Sequence, residues 1–263
     1  MTRRRLDAEL VRRGLARSRE VARDLIEGGH VLVQGSRAGK AATMVETGAA
    51  IVIDGADDPG YASRGAHKLL GALAAFPQIV VTGRRCLDAG ASTGGFTDVL
   101  LREGAREVVA VDVGYGQLVW RLREDPRVQV VDRTNVRNLT PQDIGGPVDL
   151  VVADLSFISL CVVLGALVGC VEPAGDLLLM VKPQFEVGRD ALGSGGVVRD
   201  PQARIDSVQR VATVAYDLGW GTAGVVASPL PGPSGNVEYF CWFRADAPAL
   251  ERSVVEQAVE AGP

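Results

Sequence analysis

The apolar positions follow two regimes along the chain. In the first, Leu6, Leu10 and Val11 share one helical face, and after Gly14-Leu15-Ala16-Arg17, Ser18 stands where it caps a second helix. That helix has Val21, Ala22, Leu25 and Ile26 on its apolar face and ends at Gly28-Gly29. Val31-Leu32-Val33 reads as a strand, 35–39 as a turn and 50–53 as another strand. Residues 1–58 thus form a small α+β unit, 59–64 a linker following the Asp-Gly-Pro-rich stretch from Asp54, and 65–263 a second domain.

In the second regime strands and helices alternate. A helix over 65–76 is followed by a strand at 85–88, a helix at 96–104, a strand at 107–113, a helix at 117–124 and a strand at 128–132. The pattern continues with a strand at 148–154, a helix at 159–171, a strand at 177–182, a helix at 202–218 and paired strands at 221–228 and 237–244. Alternation with helices of this length predicts a doubly wound, mostly parallel sheet. The closing pair, with no helix between its strands, predicts an antiparallel edge.

Apolar residues make up 47% and charged residues 23% of the 263 positions, which excludes disordered, collagen-like and coiled-coil classes. The net charge of −4 hides an asymmetry, since residues 1–40 carry ten Lys/Arg against five Asp/Glu. A basic head on an acidic body suits a polyanionic partner. Arg4, Arg12, Arg13, Arg19 and Arg23 are the candidate contacts, because guanidinium groups grip phosphates bidentately and stack on bases.

Cys86, Cys161, Cys170 and Cys241 show no C-x-x-C spacing and read as buried thiols of a reducing compartment. Two histidines, His30 and His67, give no basis for a His-built metal site, so none is expected. Met-Thr-Arg-Arg-Arg-Leu lacks the apolar core of a signal peptide, and a cytoplasmic location is expected. Leu150–Val171 carries one charge, Asp154, in 22 residues and is long enough to span a bilayer. It divides instead into a β-branched strand, a polar loop at Asp154-Leu-Ser and a buried helix, so no membrane insertion is expected.

Cys86-Leu-Asp-Ala-Gly-Ala-Ser-Thr-Gly-Gly-Phe-Thr carries the most information: a strand ends, a glycine-rich turn follows and a helix opens. The stretch 90–94 fits the G-x-S-x-G nucleophile elbow, but no histidine follows His67, so that reading fails. A dinucleotide site needs G-x-G-x-x-G, and Ser92 stands at its second glycine. S-adenosylmethionine has no phosphate and needs only the turn and nearby carboxylates. Asp88, Gly90, Ala91, Ser92, Thr93, Gly94, Gly95 and Phe96 would form its cradle, with Asp112 for the ribose and Asp132 for the adenine amino group. Asp154 ends a fourth strand on the same rim.

Lys68, Asp154, Lys182 and Glu238 are ionisable residues in apolar surroundings, where two lysines and two carboxylates can neutralise one another in a cleft. Such a set suits methyl transfer to a hydroxyl. Lys182 is the candidate base, because a lysine beside a second cation gives up its proton more readily. Lys68 would supply that cation and hold the hydroxyl oxygen, Asp154 would orient Lys182, and Glu238 would orient Lys68 or the ribose.

With these residues, Ser63-Arg-Gly-Ala-His-Lys-Leu, Asp112-Val-Gly-Tyr-Gly-Gln-Leu, Asp154-Leu-Ser-Phe-Ile-Ser, Val181-Lys-Pro-Gln-Phe-Glu and Pro231-Gly-Pro-Ser-Gly-Asn-Val-Glu-Tyr-Phe occur in order. In them the whole chain resembles the TlyA family, described as hemolysins and as ribosomal RNA 2′-O-methyltransferases. The resemblance is to the actinobacterial members. It implies a seven-stranded, Rossmann-like FtsJ-type α/β domain behind a ribosomal-protein-like RNA-binding domain. It also implies a Lys-Asp-Lys-Glu tetrad at Lys68, Asp154, Lys182 and Glu238. The implied substrates are cytidine riboses of 16S and 23S rRNA within ribosomal subunits, linked to capreomycin sensitivity, and the expected state is a monomer. Tyr61-Ala62 departs from the Trp-Val of relatives. The competing classes are a membrane-active, pore-forming hemolysin, testable by dye release from liposomes, and an RNA-binding protein with an inert transferase fold.

Overall fold

A computed structural model describes residues 3–13, 15–16, 18–53, 60–188, 192–232 and 235–262. Gly14, Arg17, the stretch 54–59 that runs up to and includes the first residue of the expected linker, and Pro233-Ser234 of the last motif lie outside the described residues. The chain divides into two compact units, Met1–Arg64 and Gly65–Pro263.

In the first unit β1 (Arg3–Arg5) leads into α1 (Leu6–Arg12), and α2 (Arg19–Glu27) follows. The Ser18 hydroxyl accepts from Val21 N at 3.2 Å, the cap its sequence position predicts, worth about 1 kcal/mol. β2 (Val31–Val33) pairs with both β3 (Ser36–Arg37) and β5 (Ile51–Ile53), while β4 (Met44–Glu46) pairs with β1. Leu6, Leu10, Ala22, Ile26 and Val31 form the core, each 0–1% exposed. The expected turn over 35–39 is tighter: the chain reverses at Gln34-Gly35, and Ser36–Arg37 already returns as a strand. β1 and β4 are not apparent in the sequence, because three arginines and Met-Val-Glu become strands only by pairing with each other.

The second unit opens with α3 (Gly65–Ala75), then β6 (Arg85–Ala89), α4 (Gly95–Arg102), β7 (Glu107–Val111), α5 (Trp120–Arg123), β8 (Val128–Val131) and β9 (Val148–Ala153). It continues with α6 (Leu160–Gly169), β10 (Val171–Val181), α7 (Pro183–Glu186), α8 (Pro201–Asp217), β11 (Gly221–Ala227), β12 (Tyr239–Arg244) and α9 (Arg252–Glu260). The sheet order is β11-β12-β10-β9-β6-β7-β8, parallel from β10 to β8. β12 runs antiparallel to both its neighbours and lies inside β11, so the last strand of the expected hairpin is internal and β11 is the edge.

The helix expected over 117–124 shortens to Trp120–Arg123, because Val119 N reaches back to Thr93 O at 3.3 Å and holds the preceding residues as a loop. The strand expected at 177–182 begins at Val171, with a register break before Asp176. The long apolar stretch is β9, a loop, the ten-residue α6 and the start of β10. Among the described residues no helix is long and apolar enough to cross a membrane. All four cysteines are free; Cys86, Cys170 and Cys241 are buried and Cys161 is half-buried. Burial pushes the Cys86 thiol up to about 12 and Cys170 to about 11, which keeps both inert.

Candidate active site

Parallel strands deliver their carboxyl ends to one rim, and the loops leaving that rim carry the chemistry. In sheet order, Lys182 follows β10, Asp154 follows β9, Asp88 lies near the carboxyl end of β6, Asp112 follows β7 and Asp132 follows β8. β12 is antiparallel, so its start lies at the same rim, where Tyr239 pairs with Val181 and brings Glu238 beside Lys182 in register.

Two ion pairs stand there. Lys182 Nζ lies 2.6 Å from Asp154 Oδ1 and donates to the Ser156 hydroxyl at 3.0 Å. Lys68, in the first turn of α3, donates to Glu238 Oε2 at 2.5 Å, with both side chains buried. Gln184 joins the two, because it lies on α7 two residues past Lys182 and donates to Glu238 Oε1 at 3.2 Å. The Gln184 carbonyl oxygen is buried and has no partner among the described residues. Beside Lys182 the Phe185 ring packs on Phe157, centroids 5.3 Å apart. Phe157 is 92% exposed and has φ +64°, a left-handed backbone that costs a bulky residue about 1–2 kcal/mol.

The glycine turn lies alongside. Gly90 has φ +88°, and a Cβ there would stand 2.8 Å from the Asp154 carbonyl, so any side chain would push the Asp154 loop away. Gly94, φ +100°, opens α4, and Ser92 is itself left-handed. Asp88 is fully buried; Thr97 Oγ1 donates to its Oδ2 at 2.7 Å and its Oδ1 has no partner among the described residues. Burial pushes this carboxyl up to about 7, opposed by the Thr97 hydrogen bonds. Asp112 accepts from Ser92 N at 2.8 Å and Gly114 N at 2.7 Å, locking the glycine turn to the loop after β7. Asp132 Oδ2 accepts from Gly116 N and Arg123 Nη2. Ala91 and Gly95 are buried, and Thr93 accepts from Val119 N through its carbonyl. The Phe96 side chain is buried against Phe240, centroids 6.1 Å apart, so only its backbone faces the turn.

A ligand with phosphates would meet three carboxylates here and no cation in the turn itself. A ligand with cationic groups fits, since an orphaned buried carboxylate oxygen and a turn without room for side chains face the same rim.

In the first unit, the arginines are organised by two carboxylates the sequence did not mark. Asp7 and Glu9 are fully buried. Arg5, Arg19 and Arg23 converge on Asp7, at 3.0, 2.9 and 4.0 Å. The Arg5 hydrogen bond, ahead of burial and Arg19, holds the Asp7 carboxyl well below its usual range. Arg12 and Arg13 share Glu9 at 2.6 and 2.8 Å, and their hydrogen bonds bring it down to about 2. Arg13 also donates to the Ala49 and Thr47 carbonyls, which uses its fork inside the unit. Arg4 is exposed on β1, while Arg12, Arg19 and Arg23 are about half exposed.

The FtsJ-like methyltransferase family model matches residues 61–245, and the S4 domain model matches residues 4–51. The 16S/23S rRNA (cytidine-2′-O)-methyltransferase TlyA of Mycobacterium tuberculosis strain H37Rv is 60% identical, over 98% of each chain. The chain belongs to the TlyA family of FtsJ-like methyltransferases. Another relative, described as "Putative rRNA methyltransferase YqxC" of Bacillus subtilis strain 168, is 42% identical over 89% of this chain and 83% of its own. Among solved structures, a chain described as "Putative hemolysin from Streptococcus thermophilus" is 36% identical and superimposes with a TM-score of 0.78, covering 99% of this chain and 95% of its own.

Sequence reasoning named the lysines and carboxylates but missed Ser156, Phe157, Gln184, Phe185 and Glu186. All five lie in Asp154-Leu-Ser-Phe-Ile-Ser and Lys182-Pro-Gln-Phe-Glu, so the signal was their nearness to a candidate catalytic residue.

Proposed function

We propose that this enzyme methylates the ribose 2′-oxygen of cytidines in 16S and 23S rRNA, within ribosomal subunits and in the cytoplasm. Residues 1–58 would grip the RNA, 59–64 would join the units and 65–263 would carry out transfer. The relative that is 60% identical, named for those substrates, supports this reading. The observation that carries the chemistry is the pairing of Lys182 with Asp154 at 2.6 Å beside the glycine turn.

S-adenosylmethionine, when bound, supplies an activated methyl group on a sulfonium. Asp88, the 90–96 turn, Asp112 and Asp132 would hold it, with Asp88 Oδ1, which has no partner among the described residues, available to a cationic group. Lys182 would act as the base that takes the proton of the 2′-hydroxyl, with Asp154 holding its Nζ. Lys68 donates toward the hydroxyl oxygen as negative charge develops there, while Glu238 and Gln184 keep it aimed. Exposed Phe157, backed by Phe185, offers a face on which the target base stacks outside its helix. Arg4, Arg12, Arg19 and Arg23 provide the phosphate-gripping surface, with Arg13 fixed beneath them. Purified ribosomal subunits incubated with labelled cofactor, followed by nucleoside mapping, test this: label in 2′-O-methylcytidine is expected, and label only in methylated bases overturns it.

A further inference from the structure

The loops that carry Lys182 and Asp154 are held together by a carboxylate that the transfer chemistry does not use. Glu186 ends α7 and is 6% exposed. Its Oε1 accepts from Leu160 N, in the first turn of α6, at 2.7 Å, and its Oε2 accepts from the Ser159 hydroxyl at 2.6 Å. Ser159 Oγ in turn accepts from Cys161 N at 3.1 Å, so the hydroxyl's single proton is directed to Glu186. On the other side, Arg210 of α8 donates to the Glu186 carbonyl at 2.7 Å and fixes the end of α7 to a long helix.

We propose that Glu186 is a positioning residue that clamps the segment 154–159 against α7 and thereby sets the spacing of Asp154 and Phe157 from Lys182 and Phe185. The two loops meet in three successive places: Lys182 on Asp154 and Ser156, Phe185 on Phe157, and Glu186 on Ser159 and Leu160. The first two include the candidate catalytic pair and the exposed Phe157 ring, and the third centres on the buried Glu186 carboxylate. Glu186 satisfies the Leu160 N–H at the start of α6 while Ser159 takes the Cys161 N–H, so the clamp and the helix cap are one arrangement that ties α6 to α7. Only residues 155–158 separate Asp154 from the clamp, and a misplacement of about 1 Å near a reacting group costs about 100-fold in rate. The proposal rests on Lys182 and Asp154 forming the transfer centre.

The test uses the full chain with Glu186→Gln and Glu186→Ala. Glutamine keeps an oxygen for Leu160 N; alanine removes both acceptors. Glu186→Ala is expected to lower kcat about 30-fold while the dissociation constant for S-adenosylmethionine by calorimetry stays within about threefold, and Glu186→Gln is expected to recover most of that activity. The nuclear Overhauser signals between the Phe157 and Phe185 rings should vanish in Glu186→Ala and persist in Glu186→Gln. A kcat within twofold of the parent for Glu186→Ala overturns the proposal, as does a kcat decrease matched by an equal decrease in cofactor binding. If Glu186→Ala does not fold, Glu186→Gln decides: a kcat as low as that of Lys182→Ala would mean the charge itself acts in chemistry. A parent enzyme that transfers no methyl to any ribosomal preparation sinks the functional reading instead, and the ring signals then judge the clamp alone.

Discussion

Lys68 and Glu238 are 170 positions apart in the chain and meet at 2.5 Å, both buried. Removing one partner of such a pair strands the other charge in a dry site at a cost of about 3–5 kcal/mol, whereas neutralising both costs far less. Lys68→Met should therefore lose several kcal/mol in urea unfolding, and Lys68→Met combined with Glu238→Gln should recover more than half. Glutamine at 238 still accepts from Gln184, so packing beside α7 survives. Both variants should be inactive. A double variant no more stable than the single would mean that the pair is not an energetic unit.

Lys182, as the proposed base, is expected to matter for chemistry more than for stability. Its partners Asp154 and Ser156 are partly or fully exposed, so water replaces the ammonium in Lys182→Ala. Transfer to ribosomal subunits should fall by at least 100-fold, the range of general-base contributions, with cofactor affinity within threefold of the parent. Turnover within tenfold of the parent would remove Lys182 from the role of base.

The sequence made the rim legible and offered the pairings as complementary charges, Lys182 with Asp154 and Lys68 with Glu238 or the ribose, without the register that brings them together. Asp88, Asp112, Asp132 and Asp154 could be placed because β-branched runs alternate with helices, and that pattern fixes which strand end faces the ligand. That Lys68 faces Glu238 while Lys182 faces Asp154 depends on β12 entering the sheet antiparallel beside β10, which no local pattern encodes. The roles of Asp7 and Glu9 were hidden for a related reason. In sequence they look like two charges on a solvated helix, yet five arginines fold over them and remove both from water. The length of α5 was overestimated because Val119 is held by the glycine turn, a tertiary interaction.

Phe157 combines backbone strain with exposure, which marks a functional rather than a packing role. Phe157→Gly relieves the left-handed backbone and should be about 1 kcal/mol more stable than Phe157→Ala by thermal melting. Both should raise KM for the ribosomal substrate about tenfold, in line with one stacked base fewer. An unchanged KM would show that the ring covers Phe185 and does nothing for RNA.

Arg13 and Arg19 should respond differently to alanine although both lie on the basic surface. Arg13 spends its donors on Glu9, Thr47 and Ala49, so its removal should destabilise the first unit and leave the salt dependence of RNA binding unchanged. Arg19 and Arg23 are about half exposed and share a single carboxylate, Asp7, among the described residues. Their joint replacement should flatten the slope of log affinity against log salt by about one unit for each phosphate no longer neutralised. Equal slopes in the parent, the Arg13 variant and the Arg19/Arg23 double variant would mean that the face is merely solvated.

As a proposed cofactor residue, Asp88 would tie cofactor binding to pH. Its carboxyl titrates near 7 in the folded chain against 3.8 as the reference, so between these values the native state holds a proton that the unfolded chain has released. Unfolding free energy therefore falls as pH rises through this window, by about 4 kcal/mol in total, and is level above it. Asp88→Asn keeps an acceptor for Thr97 Oγ1 and cannot ionise, so its stability advantage over the parent should grow from pH 5 to pH 7.5 and then stop growing. A cationic cofactor beside the open Oδ1 favours the ionised carboxylate, so binding should release a proton and tighten as pH rises through 7. Calorimetry in two buffers of different ionisation enthalpy reads that proton directly. Asp88→Asn should bind weakly at every pH with no proton released; an identical pH profile in parent and variant would remove Asp88 from the cofactor site.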